Sequence, residues 1–158
     1  MFNAFFKARP RLRAALFGLA VCSPAFVVGI SQAMAQPAPT PFASDRLSVE
    51  VIGSGPDVLL VPGFGSSREV WRAEAERLAP THRVHLVQLA GFAGEPWSHG
   101  DGAFVAPAVE ALAAYVAAAG LERPAVIGHS MGGLSALMLA QQHPDRVGRV
   151  MSVDSLPF

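Results

Sequence analysis

The stretch AVIGHSMGGLSALMLA, residues 125–140, holds Ser130 between Gly128 and Gly132, with His129 and Met131 as its neighbours. A serine in this Gly-x-Ser-x-Gly spacing can act as a nucleophile on a carbonyl, provided that a sharp strand-to-helix turn lifts its hydroxyl clear of the backbone. The flanking glycines suit such a turn, because it crowds strand and helix together and a Cβ two residues to either side of the serine would collide. The turn also sets Met131 N–H at a helix N-terminus, where it can stabilise the oxyanion that attack creates. The competing readings are a glycine-rich turn with a chance serine and a phosphate-binding loop. The second fails, since neither Gly-x-Gly-x-x-Gly nor a Gly-Lys-Ser/Thr ending is present.

The elements that must position this turn follow from hydrophobic periodicity. PAVIG is a short apolar strand entering it, and MGGLSALMLAQQHP is a helix leaving it that ends at Pro144. Upstream, RLSVEVIGSGP alternates Leu47, Val49 and Val51 with polar residues, as a half-buried strand closed by a Gly-Ser-Gly-Pro turn does. DVLLVPG is continuously apolar, as expected of a strand buried on both faces of a parallel sheet. The first should be an edge strand beside the second. The spacing predicts a helix from Ser66 to Ala79 with Trp71, Ala75 and Leu78 on its core face, Trp71 being read as a core residue. RVHLVQLAGFAG reads as a third strand, and Phe104 to Ala119 as a helix capped by Gly120. RVGRVMSVDS supplies a fifth strand. Strand and helix alternate, so the predicted fold class is α/β, a mostly parallel sheet with flanking helices.

In that setting GHSMGG resembles the nucleophile elbow of the α/β-hydrolase superfamily, and the likeness runs from roughly Leu47 to Phe158. VLLVPGFGSS resembles the family's oxyanion loop, with Pro62 standing where many members carry histidine before the glycine. The resemblance implies that Phe64 N–H is a second oxyanion donor beside Met131 N–H; VDSLP after the fifth strand also fits the family. It implies an acyl-enzyme on Ser130, no cofactor, and a small-molecule acyl substrate such as an ester or thioester. Serine rather than aspartate at the elbow disfavours the dehalogenase and epoxide-hydrolase chemistries of the superfamily.

A serine hydroxyl needs a histidine to take its proton and a carboxylate to hold that histidine. The family supplies them in the order serine, acid, histidine. After Ser130 the only histidine is His143, at the far end of the helix, which at about 1.5 Å rise per residue puts it ~20 Å from the hydroxyl. His129 is adjacent, but neighbouring side chains at an elbow point apart, which makes it a shaping or packing residue. His82 and His85 flank or lie in the third strand, and His99 is in a loop. Asp154, directly after the fifth strand, stands where some relatives place their acid; the alternative is a loop aspartate bonded locally. The expectation is therefore the N-terminal portion of a hydrolase, truncated before its last strands and without a complete triad or a lid. The alternative is a non-catalytic, vestigial hydrolase-like binding protein that keeps the elbow for packing. One side of the last strand should be exposed, inviting pairing or aggregation.

The 158 residues, about half of them hydrophobic, suffice for one domain. Lys7, Arg9, Arg11 and Arg13 precede an apolar stretch from Ala14 to Ile30, and in SQAMAQ the residues Ala33 and Ala35 form a small-x-small cleavage pattern before Gln36. This reads as a signal peptide over 1–35. An uncleaved membrane anchor is the alternative, for which the apolar run is short and broken at Ser23-Pro24. Residues 36–45, within the stretch QPAPTPFAS, read as a flexible spacer, leaving 46–158 as the domain and no stable membrane span after cleavage. The single cysteine, Cys22, lies in the leader, and export without disulfides points to a bacterial periplasm or secretion. Without the leader, eight basic residues face twelve acidic ones, which offers no footprint for nucleic acid. No His, Cys, Asp and Glu cluster has metal-ligand spacing. Phe92 and Trp97 of GFAGEPW either line a substrate mouth or cover the sheet.

Overall fold

The apolar run DVLLV becomes the centre of the sheet, because its side chains find cover on both faces. A computed structural model describes residues 42–155; the expected leader, its cleavage point and most of the spacer lie outside the described residues. The elements are β1 (Leu47–Gly53), β2 (Asp57–Val61), α1 (Arg72–Leu78), β3 (Arg83–Leu89), α2 (Val105–Ala118), β4 (Ala125–His129), α3 (Met131–Gln142) and β5 (Arg149–Val153). The strands form one sheet in the order β1-β3-β2-β4-β5, with β1 antiparallel to β3 and the other pairings parallel. This is the mostly parallel α/β sheet with flanking helices that the alternation of elements predicts.

Two cores follow from the period-two alternation of the strands. Leu59, Val61, Val87, Leu89 and Val126 point to the face covered by α2 and α3, while Val58, Leu60, Val84 and Leu86 pack on the other face with Ala75 of α1. Trp71, as expected, packs against this second core. Leu59, Leu60 and Val61 are fully buried, a gain of roughly 1.5–3 kcal/mol for each side chain. α2 ends as the sequence predicts. Gly120 adopts φ 62° and its N–H donates to Ala117 O, while Leu121 N–H donates to Val116 O, which satisfies carbonyls left open in the last turn.

Three expectations are corrected. β1 is an edge strand, but β3 separates it from β2. The cause is the glycine turn between them: Gly53, at φ 76°, lies against the Ala79 and His82 backbone, so the chain passes the start of β3 and skips a strand. The helix expected from Ser66 begins as a 3-10 turn at Arg68–Trp71, because the Ser67 hydroxyl accepts from Glu69 N–H and fixes the start there. Residues 42–45, assigned to the spacer from composition, belong to the fold: Phe42 packs edge-on against Tyr115 at 5.1 Å, and Ser44 Oγ accepts from Arg46 N–H at 3.1 Å.

β5 is the outer strand among those described, and Met151 (58% exposed) and Val153 (37%) open to the surface on it. No helix among the described residues is long and apolar enough to cross a membrane.

Candidate active site

Ser130 joins β4 to α3 with φ 52° and ψ −118°, a backbone conformation that a side-chain-bearing residue adopts only under constraint. The constraint is visible. A Cβ on Gly128 would fall on the Gly132 carbonyl, and a Cβ on Gly132 would fall against Val61 O and lie 2.5 Å from Pro62 O. Ser130 N–H donates to Val153 O at 2.8 Å, and its carbonyl accepts from Leu134 N–H (3.1 Å) and the Ser155 hydroxyl (2.6 Å). A serine preceding a helix ordinarily caps it by accepting a backbone N–H. Ser130 makes no such bond, and among the described residues its hydroxyl has no hydrogen-bond partner at the positive end of the α3 dipole.

The chain's topology sets a second loop beside it. From β2 the chain leaves to α1 on one face of the sheet, and from neighbouring β4 it leaves to α3 on the other. Loops diverging from adjacent strands open a crevice at the strand C-termini, where ligands of such sheets bind. Gly63 of the β2 loop lies at that crevice: a Cβ there would sit 3.3 Å from Ser130 Cβ and 2.9 Å from His129 Nδ1. Phe64 follows Gly63 in that loop, and Met131 follows Ser130 at the start of α3. Neither N–H donates to an acceptor among the described residues.

The histidines are where the sequence put them, and among the described residues none hydrogen-bonds Ser130 Oγ. His143 closes α3 and pairs with Glu110 at 3.0 Å; His99 reaches Asp45; His82 contacts Thr81. The His129 ring packs against Gly63, with Nε2 3.9 Å from a carboxylate oxygen of Asp154. Asp154 is 90% exposed and at φ 50°, and its side chain makes no hydrogen bond to a histidine among the described residues. Among the described residues an Asp–His–hydroxyl chain lies in the core instead: His85 Nε2 lies 2.9 Å from Asp57 and Nδ1 2.6 Å from Tyr115 Oη. Asp57 also accepts two bonds from Arg83.

Burial pushes His85 below the ordinary histidine value despite the opposing Asp57 bond. The neutral ring then donates from Nε2 and accepts the Tyr115 proton at Nδ1. Burial drives Tyr115 up to about 12. For Asp57 burial works upward, but the Arg83 and His85 hydrogen bonds bring its carboxyl below the usual carboxylate value.

A run of aromatic rings extends from the β2 loop. Phe64 packs edge-on to Phe92 at 5.0 Å, Phe92 lies 4.8 Å from Phe104, and Phe104 lies 5.2 Å from Trp97, over which Arg46 stacks. Phe92 is buried and covers the sheet end, whereas Phe64 is 76% exposed. Two polar residues escaped the sequence reading. Ser155 buttresses the elbow carbonyl, and the buried Gln88 spans the two loops; its one signal was an amide inside an otherwise apolar strand end, between Val87 and Leu89. Among the described residues no group of three His, Cys, Asp or Glu is arranged to hold a metal.

A family model described as the alpha/beta hydrolase fold matches residues 56–158. The chain belongs to that family. It is 40% identical over 111 residues to a pimeloyl-[acyl-carrier protein] methyl ester esterase of Aeromonas hydrophila, covering 70% of this chain and 42% of the relative. A protein of the same description from Vibrio atlanticus is 35% identical over 114 residues, covering 72% and 42%. The chain therefore spans about two fifths of the length of these curated relatives. Among solved structures, a thermophilic esterase from Thermogutta terrifontis superposes with TM-score 0.64 at 31% identity, covering 70% of this chain and 40% of that one. A candidate epoxide hydrolase from Pseudomonas aeruginosa also superposes with TM-score 0.64, at 34% identity, covering 71% and 38%. The hydrolase fold expected from GHSMGG is thus established, and the relatives include esterases.

Proposed function

We propose that this chain carries the nucleophile and oxyanion loops of an exported serine esterase. The observation that carries this reading is the strained Ser130, which leaves its helix uncapped beside Gly63; among the described residues the N–H groups of Phe64 and Met131 have no acceptor. In the proposed reaction Ser130 Oγ bonds to the carbonyl carbon of an ester or related acyl compound. Its proton passes to a base, and the carbonyl π pair moves onto oxygen, where Phe64 and Met131 N–H hold the charge. Collapse expels the alcohol, which recovers the proton, and water then attacks the acyl-enzyme in the same manner to release the acid and free Ser130. No described residue is placed as the base. Esterase relatives and the serine at the elbow favour ester over epoxide chemistry. Pimelate-type methyl esters, named for the relatives, are the first substrates to try.

The test is labelling of the full chain by a fluorophosphonate, with Ser130→Ala as reference, together with methyl ester hydrolysis. Ser130-dependent labelling supports the reading, and methyl ester hydrolysis that survives Ser130→Ala refutes it. A folded chain that neither labels nor hydrolyses favours the second reading, a binding protein that keeps the elbow for packing, which rests on an Asp–His–hydroxyl chain that, among the described residues, serves Tyr115 rather than Ser130. Export follows from the leader and is checked by fractionation and by the mass of the mature N-terminus: a chain beginning at Gln36 is expected, and retention of residues 1–35 would contradict it.

A further inference from the structure

We propose that Gln88 is a positioning residue that locks the loop after β2, and with it Phe64 N–H, to the loop after β3. This rests on the reading of Phe64 as an oxyanion donor. Gln88 sits near the end of β3 and is 3% exposed. Its Oε1 accepts from Arg68 N–H at 2.8 Å, and its Nε2 donates to Leu89 O (3.2 Å), Phe92 O (3.4 Å) and Ser66 O (3.5 Å). One carboxamide thus meets the backbone of both loops, using its acceptor on one and its donors on both.

The segment it holds has few other ties. Residues 63–67 contain a turn closed by Ser66 N–H to Gly63 O at 3.2 Å and end in the Ser67 cap. Gly65 has φ 68° with open space around it, and Phe64 is mostly exposed, its ring packing edge-on to Phe92. Phe92 is itself one of the residues whose carbonyl Gln88 holds, so polar and aromatic braces converge on the same pair of loops. An oxyanion donor must stay within a few tenths of an ångström of its position to be useful. A buried amide can do this where a flexible glycine loop alone cannot, because leaving any of its groups unpaired costs the full desolvation penalty.

The test uses the full chain with two readouts. Hydrogen exchange at the amides of Ser66 and Arg68 to Val70 reports the brace, and the rate of fluorophosphonate labelling at Ser130 reports its consequence. Gln88→Met fills the space without donors or acceptor. It should raise exchange in this segment about tenfold or more, as loss of hydrogen bonds worth about 1 kcal/mol each requires, while exchange in α3 stays unchanged. Labelling should slow in parallel. Arg68→Pro deletes the N–H that Gln88 accepts, along with the guanidinium that donates to Ser48 Oγ, at a first helical position preceded by an extended Ser67 (ψ 157°) that tolerates proline. Compared with Arg68→Ala, which keeps that N–H, it should loosen Ser66 in the same direction. Unchanged exchange of Ser66 and its neighbours in both Gln88→Met and Arg68→Pro overturns the proposal. If Gln88→Met does not fold, the Arg68 pair decides alone. A wild-type chain that never labels while its loop loosens as expected counts against the Ser130 reading and leaves the brace standing.

Discussion

Gly132→Ala separates steric from conformational demands at the elbow. Gly132 lies in α3, so alanine there would favour the helix by about 1 kcal/mol if space allowed. Space does not allow it. The new Cβ would lie 2.5 Å from Pro62 O, against an ordinary carbon–oxygen separation of about 3.3 Å or more. Relief requires α3 to withdraw from β2 by ~0.8 Å, and the obstructing atoms are backbone, so no rotamer change helps. Overpacking of this kind costs roughly 1–3 kcal/mol, and the rigid obstruction places it at the upper end, for a net loss of ~2 kcal/mol after the helical gain. The melting temperature of a domain this size should fall by ~8 °C.

The same withdrawal moves Met131 N–H away from the loop that carries Phe64, and misplacement near 1 Å can lower reactivity by about 100-fold. Thermal unfolding and the rate of Ser130 labelling are the two assays. Gly120→Ala is the counterpart: at φ 62° with nothing within 4 Å, it should cost ~1–2 kcal/mol from the left-handed conformation alone and leave labelling unchanged. A Gly132→Ala chain that melts at or above the wild type refutes the packing account of the elbow.

The buried histidine makes stability depend on pH. Because burial lowers His85, the unfolded chain binds a proton near pH ~6.5 that the folded chain refuses until lower pH. Stability should therefore fall as pH drops through that window, with a further loss at lower pH as Asp57, held below the usual carboxylate range, is protonated. Urea midpoints that stay flat from about pH 7 to pH 5 would contradict this. Tyr115→Phe strands the His85 Nδ1 acceptor and should lower unfolding free energy by ~1–3 kcal/mol, measured at neutral pH; no change would show that the bond contributes nothing. Met151→Lys, on the exposed part of β5, should alter stability by less than ~0.5 kcal/mol yet reduce light scattering on concentration. Unchanged scattering would place self-association elsewhere.

The sheet was legible because its signals are local and mutually consistent. DVLLV can be buried on two faces only in a central strand, Gly120 ends a helix of the right period, and the glycines around Ser130 admit one kind of turn. The order of β1, β3 and β2 was not legible, because it depends on Gly53 lying against Ala79 and His82, a contact between residues far apart in sequence. Phe42 was lost for a related reason. A proline-rich composition reads as spacer, whereas its docking on Tyr115 depends on a helix more than sixty residues downstream. Gln88 was passed over because a polar residue inside a strand ordinarily marks its exposed face, and the partners that justify its burial are backbone groups of two loops that no side-chain pattern encodes.

The site itself shows why a motif and its chemistry are separable. Asp57, His85 and Tyr115 have the connectivity of a nucleophilic triad, carboxylate to imidazole to hydroxyl, yet they serve the core. Tyr115 is 6% exposed, and burial has moved its ionisation up to about 12, the opposite of activation. Ser130 has the reverse endowment: a hydroxyl free of its helix and a strained turn beside the Gly63 loop, without a base among the described residues. Reactivity needs both halves in one place, since a base raises the nucleophile while the amides stabilise what it becomes. The amides and the strained turn survive as geometry whether or not a base is present. A boronic acid, which accepts the serine oxygen and places its own oxygen between the two N–H groups, should therefore discriminate the designs. Ser130-dependent protection of the β4–α3 turn from hydrogen exchange by a boronic acid would show that the oxyanion half is preformed. Protection that persists in Ser130→Ala would show that it is not what the turn is for.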